Sequence, residues 1–197
     1  MSMARTAEVA RKTGETDIEV NLDLDGTGTY SIDTGVGFFD HMLSALSRHS
    51  LIDMGIKVKG DTWVDDHHTV EDTGIVVGQA LGQALGDKAG IRRFGSIAIP
   101  LDEALTLASV DISGRGELYW DVPIGPDKVG TFDTELAQEF FIGFARQAGI
   151  TLHLKELSGT NAHHIIEATF KACARALRQA VEPDPRVKGV PSTKGEL

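Results

Sequence analysis

The sequence of 197 residues has one cysteine, Cys173, which excludes an intramolecular disulfide and suits a reducing cytoplasm. Its 19 basic residues are outnumbered by 29 acidic ones, giving a net charge of -10 and no basic stripe for binding a nucleic acid. No signal peptide precedes the first polar stretch, and no apolar run approaches the roughly 20 residues that span a bilayer. These absences predict a cytoplasmic globular protein with neither nucleic acid nor membrane as its partner. The apolar neighbours of Cys173 predict a buried, inert thiol.

The sequence does contain the pattern His-His-x-x-Glu, twice, at residues 67–71 and 163–167. In an α-helix, positions i and i+4 share a face, so His67 and Glu71 could hold one cation, while His68 points about 100° further round. A single copy is as typical of a polar helix start, but the repetition favours metal binding. Two such helices brought together would offer each of two ions a His/Glu pair and the odd histidine of the opposite helix.

Hydrophobic periodicity predicts two similar halves. Ile18, Val20 and Leu22 alternate with polar residues, as in a half-buried strand. The predicted elements are strands at 17–24, 30–33, 55–60, 96–100, 105–113, 117–122 and 150–157, and helices at 38–49, 67–86, 132–147 and from 162 onwards. The order strand, strand, helix, strand, helix occurs twice, with an extra strand in the second half and a Phe-Phe pair opening each matching helix. This predicts a duplicated α+β fold, each half a sheet covered on one face by helices, with residues 1–90 and 91–197 as the halves.

Small residues recur every four positions on both His-His helices. Gly74, Gly78 and Gly82 form a ridge on the first, and Ala168 and Ala172 begin a similar ridge on the second. Each glycine costs up to ~1 kcal/mol relative to alanine in a helix interior, so the ridge indicates a close approach of another backbone. We expect the first helix to pack tightly on its sheet and both helices to be held stiffly, as a metal site requires.

Two more histidines stand at positions suited to metal ligands. His41 follows Asp40, which could orient its imidazole, and His153 lies in the strand before the second motif. Each alone is more typical of a structural histidine, and His49 is interpreted as a packing or surface residue. Together with the two motifs, they would supply two sites of three histidines and one glutamate. Such donors without thiolate suit Mn²⁺, Fe²⁺ or Zn²⁺.

Basic and hydroxyl residues near glycines predict an anion site in this acidic chain. Arginine binds phosphate through paired hydrogen bonds, and a Ser-Thr-Lys-Gly run adds a hydroxyl, an ammonium and backbone N–H groups. The candidates are Arg92, Arg93, Arg115, Ser192 and Lys194, the last two in a loop-like C-terminal tail. Ordinary surface salt bridges are the alternative for any one arginine.

Glu15 is a candidate general acid or base. It precedes the first predicted strand and lies outside its alternating apolar face. Because its segment is distant in sequence from both His-His motifs, we do not expect it to be a metal ligand.

Four segments resemble signatures of the imidazoleglycerol-phosphate dehydratase family of histidine biosynthesis. They are residues 35–43, 65–72, 161–172 and 191–195. The resemblance runs from about residue 5 to residue 197. It implies a duplicated α+β fold like domain 2 of ribosomal protein S5 and self-association into a 24-mer built from trimers.

The resemblance also implies two Mn²⁺ ions per active site, shared between subunits. The metal ligands that it implies are His41, His67, His68, Glu71, His153, His163, His164 and Glu167. The substrate phosphate would be held by Arg93, Arg115, Ser192 and Lys194. Catalysis would involve Glu15, as the group that moves protons, with the ligands His41, His67, Glu71, His164 and Glu167.

The implied activity is that of a hydro-lyase that converts D-erythro-imidazoleglycerol phosphate to imidazole acetol phosphate. The proton to be lost sits on a carbon without a neighbouring carbonyl, so the imidazole ring must take up the charge, and metal ions would stabilise the imidazolate. Two other classes use similar ligands. A di-metal hydrolase usually needs aspartates or a bridging carboxylate, and a metal-storage shell would lack the anion site.

Overall fold

The computed structural model describes residues 4–197 and contains two halves with the same order of elements. The first half consists of β1 (Thr6–Lys12), β2 (Thr16–Asp23), β3 (Tyr30–Asp33), α1 (Gly37–Ser50), β4 (Asp53–Gly60) and α2 (His67–Leu85). The second consists of β5 (Phe94–Leu101), β6 (Ala104–Asp111), β7 (Glu117–Asp121), β8 (Lys128–Val129), β9 (Phe132–Asp133), α3 (Leu136–Ala148), β10 (Thr151–Ser158) and α4 (Ala162–Val181). Apart from the hairpin β8–β9, each half is three strands, a helix, a strand and a helix. The predicted duplicated α+β fold is confirmed.

Strand β1 was not predicted from the sequence. Because β1 gives the sheet of the first half four strands, the sheet of the second half has no extra strand relative to it. Strand β1 lies at the edge of its sheet and pairs antiparallel with β2, with Val9 opposite Val20. Only Ala7 is buried, in a strand that ends in Arg11 and Lys12, so no apolar alternation marks it. The real addition to the second half is the hairpin β8–β9.

Helix α3 begins at Leu136 rather than at the predicted residue 132. Residues 132–133 form β9 instead and pair antiparallel with β8, across a turn at Gly130 with a φ of 61°. The pair Phe140 and Phe141 therefore lies inside α3, whereas Phe38 and Phe39 lie in the first turn of α1. The expectation that such a pair opens the helix is confirmed for α1 and wrong for α3.

Each half contains one four-stranded sheet, with the orders β1-β2-β4-β3 and β5-β6-β10-β7. The pairs β3–β4 and β7–β10 are parallel, and the other pairs are antiparallel. The chain after the turn at residues 25–28 therefore does not return beside β2 but crosses to β4. Ile18 and Val20 of β2 are buried, as their alternation predicts.

The four helices lie between the two sheets in two layers. α1 and α2 pack on the first sheet, α3 and α4 pack on the second, and between the layers α1 contacts α4 and α2 contacts α3. Phe140 joins the layers, because its ring centroid lies 5.4 Å from that of Phe39. The helices therefore cover one face of each sheet. None of the helices in residues 4–197 has the length and apolar character needed to cross a membrane.

The glycine ridge of α2 packs on α3 and not on the sheet, contrary to expectation. A Cβ atom at Gly78 would lie 2.5 Å from the carbonyl oxygen of Phe144, and one at Gly74 would overlap the carbonyl group of Phe140. The small-residue helix α4 is the one whose backbone closely approaches a sheet, at Gly95 of β5. Because the glycines of the ridge have no side chains, the backbone of α3 can approach that of α2 closely.

The connector between α2 and β5 spans residues 86–93. The expected division of the chain between residues 90 and 91 falls within this connector and stays a prediction. The packing of α1 on α4 and of α2 on α3 joins the two halves through their helices.

Candidate active site

Helices α1 and α4 bring three potential metal ligands together. Nε2 of His41 lies 3.3 Å, and Nε2 of His163 lies 3.1 Å, from the same atom, Oε2 of Glu167. One ligand atom from each residue lies within 4.8 Å of the other two, and we call these residues the three-ligand group. Two imidazoles and a carboxylate suit Mn²⁺, Fe²⁺ or Zn²⁺. The residues present therefore fit a bound metal ion.

The neighbours of Glu167 lower the pKa of its carboxyl group. Its side chain is mostly buried, and burial alone would favour the protonated acid. The Lys171 ammonium, 2.7 Å from Oε1, and the nearby His41 nevertheless lower the pKa of Glu167 overall. The ionised carboxylate is the form that binds a cation.

Local hydrogen bonds fix the backbone that carries the three-ligand group. At the start of α4, the side chain of Asn161 accepts hydrogen bonds from two backbone N–H groups of the first turn. In the first turn of α1, Asp40 accepts hydrogen bonds from the N–H and the hydroxyl of Thr34 in the preceding loop, at 2.9 and 2.6 Å. Asp40 therefore fixes the loop that leads into α1. The expectation that it orients the imidazole of His41 is wrong.

Helix α2 presents its two histidines to different partners. Nε2 of His67 lies 3.5 Å from Oε2 of Glu71, with the i,i+4 geometry expected from the sequence. His68 turns away, with its Nδ1 3.0 Å from Oδ2 of Asp61 and its Nε2 3.7 Å from Oε1 of Glu15. The hydrogen bond with the buried Asp61 raises the pKa of His68.

Glu15 comes close to α2 through a network that its sequence position does not reveal. In the β1–β2 hairpin, the hydroxyl of Thr13 accepts hydrogen bonds from the N–H groups of Glu15 and Thr16. The hydroxyl of Thr16 donates to Asp72 of α2 at 2.5 Å and ties the hairpin to the helix. Glu15 thereby reaches His68, although its segment is distant in sequence from both His-His motifs. The expectation that Glu15 is not a metal ligand stays a prediction.

His164 is held by Glu103, a residue that the sequence analysis missed. Nδ1 of His164 lies 2.8 Å from Oε2 of Glu103, whereas Oε1 accepts hydrogen bonds from the N–H groups of Thr160 and Asn161. The hydrogen bond from His164 is the main reason that the pKa of Glu103 falls to about 2, and the same contact raises the pKa of His164. One signal could have found Glu103, because it directly precedes β6 as Glu15 directly precedes β2.

The two His-His helices do not pair within residues 4–197. Because the glycine ridge seats α2 on α3 while α4 packs on α1, His67 and Glu71 do not join the three-ligand group. His153 lies on the outward face of β10, where its ring stacks on Tyr119 with centroids 4.3 Å apart. The prediction that paired helices build both metal sites is therefore wrong for a single chain. The assignment of the eight ligands stays a prediction.

Four of the five predicted anion-site residues line one pocket of about 530 Å³. They are Arg93, Arg115, Ser192 and Lys194. The fifth candidate, Arg92, is not among the lining residues and pairs with Glu182 at 3.3 Å. Residues that are far apart in the chain thus form one basic pocket.

The two arginines of this pocket differ in how far hydrogen bonds fix their side chains. Arg93 donates from Nε and Nη2 to the carboxylate of Asp111, at 2.7 and 3.2 Å, and from Nη1 to the carbonyl of Pro191 at 2.9 Å. Arg115 is 66% exposed, and its Nη2 lies 3.7 Å from Asp111. Two residues at this pocket were not predicted from the sequence. Asp111 orients Arg93, and Nζ of Lys88 lies 3.4 Å from the carbonyl oxygen of Leu197 in the pocket wall.

Known proteins of one family match the chain along its length. A sequence profile described as imidazoleglycerol-phosphate dehydratase matches residues 34–177. The imidazoleglycerol-phosphate dehydratase of Paracoccus denitrificans is 62% identical over 194 residues, which cover 98% of this chain and 100% of that protein. The protein of the same name from Ruegeria pomeroyi is 61% identical over 195 residues, again 98% of this chain and 100% of that protein.

Solved structures of the same family have the same fold. Imidazoleglycerol-phosphate dehydratase from Staphylococcus aureus is 40% identical, with a TM-score of 0.83 over 91% of this chain and 99% of that chain. The enzyme from Pyrococcus furiosus is 41% identical, with a TM-score of 0.83 over 96% of this chain and 100% of that chain. The sequence match, the fold and the convergence of ligand and anion-site residues lead to one conclusion: the chain belongs to the imidazoleglycerol-phosphate dehydratase family.

Proposed function

We propose that this chain is a cytoplasmic hydro-lyase of histidine biosynthesis, which removes water from D-erythro-imidazoleglycerol phosphate and releases imidazole acetol phosphate. Family membership supports the reaction. The observation that carries the proposal is the presence, on one chain, of a His/Glu ligand group and a basic pocket. The first suits a metal that binds an imidazole ring, and the second suits a phosphate.

Two Mn²⁺ ions per active site are part of the proposal. Their ligands would be His41, His67, His68, Glu71, His153, His163, His164 and Glu167. When bound, the ions would supply Lewis-acid stabilisation of the negative charge that the imidazole ring takes up. The three-ligand group supports this assignment, because its donor atoms converge within a single chain.

The sites would be completed between subunits of a 24-mer built from trimers. His153 faces outward from the second sheet, and the pair of His67 and Glu71 lies on a different helix from the three-ligand group. Ligands of a neighbouring chain would therefore fill the remaining positions. The loop before α2 supports a subunit contact there, because it exposes 84% of Trp63 and 60% of Val64.

The chain's own residues would bind the phosphate and move the protons. Arg115 and Lys194 would contact the phosphate directly, while Asp111 holds Arg93 at the wall of the same pocket. Glu15 would transfer protons, because its carboxylate is 55% exposed and makes no hydrogen bond within residues 4–197. Such a carboxylate is free to take or give a proton at Oε1.

The test is an ultraviolet assay for the enolisable ketone product, run with and without a chelator, beside metal analysis of the same protein. We expect chelation to abolish turnover and Mn²⁺ to restore it. His67→Ala and His164→Ala should each lose bound metal and activity, whereas the control His49→Asn should keep both. Turnover that survives complete removal of metal would overturn the metal-dependent mechanism. Bound metal without turnover would instead identify a storage shell.

A further inference from the structure

The duplicated fold places one glutamate at the same position in each half. Glu15 is the last residue before β2, and Glu103 is the last residue before β6. Each reaches the second histidine of the motif in its own half, Glu15 at His68 and Glu103 at His164. The repeat therefore supplies a carboxylate to each of these histidines from an equivalent hairpin.

The two glutamates are held differently. Nδ1 of His68 is taken by Asp61, so Glu15 lies on the Nε2 side of the ring at 3.7 Å and is otherwise unbonded within the described chain. The two oxygens of Glu103, by contrast, have separate partners. Oε1 accepts from the backbone N–H groups before α4, and Oε2 lies 2.8 Å from Nδ1 of His164.

We propose that Glu103 is a positioning residue, which fixes the tautomer of His164. An ionised Oε2 can only accept a hydrogen bond, so the proton of the neutral imidazole is held on Nδ1. The lone pair then lies on Nε2, which is left to bind a metal ion. Carboxylates behind ligating histidines act in this way in many metal sites. The inference rests on the proposed metal site and adds that the two equivalent glutamates have different roles: Glu15 transfers protons, and Glu103 positions a metal ligand.

The variants Glu103→Gln and Glu103→Ala separate this role from simple capping of α4. In Glu103→Gln, the amide oxygen is needed by the backbone N–H groups of Thr160 and Asn161, so the amide NH₂ faces Nδ1 of His164. That NH₂ is a donor, and it would force the proton of the ring onto Nε2, where it blocks metal binding. Glu103→Ala loses the cap but leaves the ring free to choose either tautomer.

The test is a Mn²⁺ titration of the full-length, assembled protein, with thermal unfolding measured on the same samples. Glu103→Gln should weaken Mn²⁺ binding at one site by about 10- to 100-fold, the usual loss for such supporting residues, and more than Glu103→Ala does. The unfolding temperature should follow the opposite order, with Glu103→Ala the less stable variant. The control Asp102→Asn removes one negative charge from the same hairpin, where Oδ2 of Asp102 lies 3.9 Å from Nε2 of His164. It leaves the hydrogen bond at Nδ1 intact, so it should weaken Mn²⁺ binding less than Glu103→Gln does.

Three results would overturn the inference. If Glu103→Ala is the worse variant in both measurements, Glu103 only caps the helix. If Asp102→Asn weakens Mn²⁺ binding as much as Glu103→Gln, the effect is one of total charge. Wild-type protein that binds no Mn²⁺ would overturn the proposed metal site and this inference with it, whereas the first two results would leave the metal site standing.

Discussion

The contact between α2 and α3 predicts opposite effects for two glycine-to-alanine substitutions on the same helix. The Cβ atom of Gly78→Ala would lie 2.5 Å from the carbonyl oxygen of Phe144 and 2.9 Å from Cβ of Gln147. Ordinary van der Waals contacts of a Cβ atom begin at 3.4 Å. Because the nearest obstacle is backbone, no rotamer change relieves the overlap, and the two helices must move apart.

The magnitude follows from two opposing terms. Overpacking a core costs about 1–3 kcal/mol, and a backbone obstacle places Gly78→Ala at the upper end. Replacing glycine by alanine in a helix stabilises the folded protein by about 1 kcal/mol, so the free energy of unfolding falls by a net amount of about 2 kcal/mol. For a protein of this size, that lowers the unfolding temperature by roughly 4–8 °C.

Gly82→Ala is the matched control. Its Cβ atom would lie 3.3 Å from the carbonyl oxygen of Gln147, so only a slight adjustment is needed and the gain in helix propensity dominates. We expect the unfolding temperature to rise by up to about 2–4 °C. The assay is thermal unfolding followed by circular dichroism, at equal protein concentrations because assembly shifts the midpoint. An unfolding temperature of Gly78→Ala at or above that of the wild type would refute the close contact of α2 with α3.

Three further predictions concern the basic pocket, the proton-transfer group and the cysteine. Arg115→Ala and Lys194→Ala should each raise KM by about one to two decades with metal content unchanged, because a charge-assisted contact with the phosphate contributes roughly 1.5–3 kcal/mol. An unchanged KM in both variants would contradict the phosphate site. Glu15→Gln should lower kcat by about 10²- to 10⁴-fold with KM nearly constant, because an amide can bond a substrate hydroxyl but cannot transfer a proton; lost metal would instead identify Glu15 as a ligand. Cys173 is fully buried, and burial raises the pKa of its thiol. A thiol reagent should therefore label the folded protein far more slowly than the denatured protein, and equal labelling rates would contradict this prediction.

Local periodicity accounts for the parts of the fold that the sequence predicts well. The buried alternation of Ile18 and Val20 and the i,i+4 pair of His67 and Glu71 depend only on residues near in the chain. β1 escapes prediction because an edge strand buries too little apolar surface to show a period. The start of α3 is misplaced because the hairpin before it is fixed by a turn at Gly130.

The partners of the site residues are the part that the sequence does not reveal. The hydrogen bonds of Asp61 with His68 and of Glu103 with His164 join different elements. Only the place of Glu103 directly before β6, which matches that of Glu15 before β2, could have pointed to one of these pairs. The glycine ridge signals a close approach but does not say whether the neighbour is a sheet or a helix. The anion pocket was predictable as a set of residue types, but the engagement of Arg93 by Asp111 became visible only in the structure.

The two helix layers touch at two crossings, α1 with α4 and α2 with α3, and these crossings explain how a duplicated chain can carry an unsymmetrical site. The first helix of each half packs on the second helix of the other half, as in an isologous dimer whose two subunits have been fused. Fusion removes the requirement that both crossings carry the same side chains. His41 and Glu139 stand at the same distance before the left-handed residue that ends α1 and α3, yet only the crossing with His41 gathers three ligands. At the other crossing the backbones meet at glycines, so one crossing is specialised for ligands and the other for close packing.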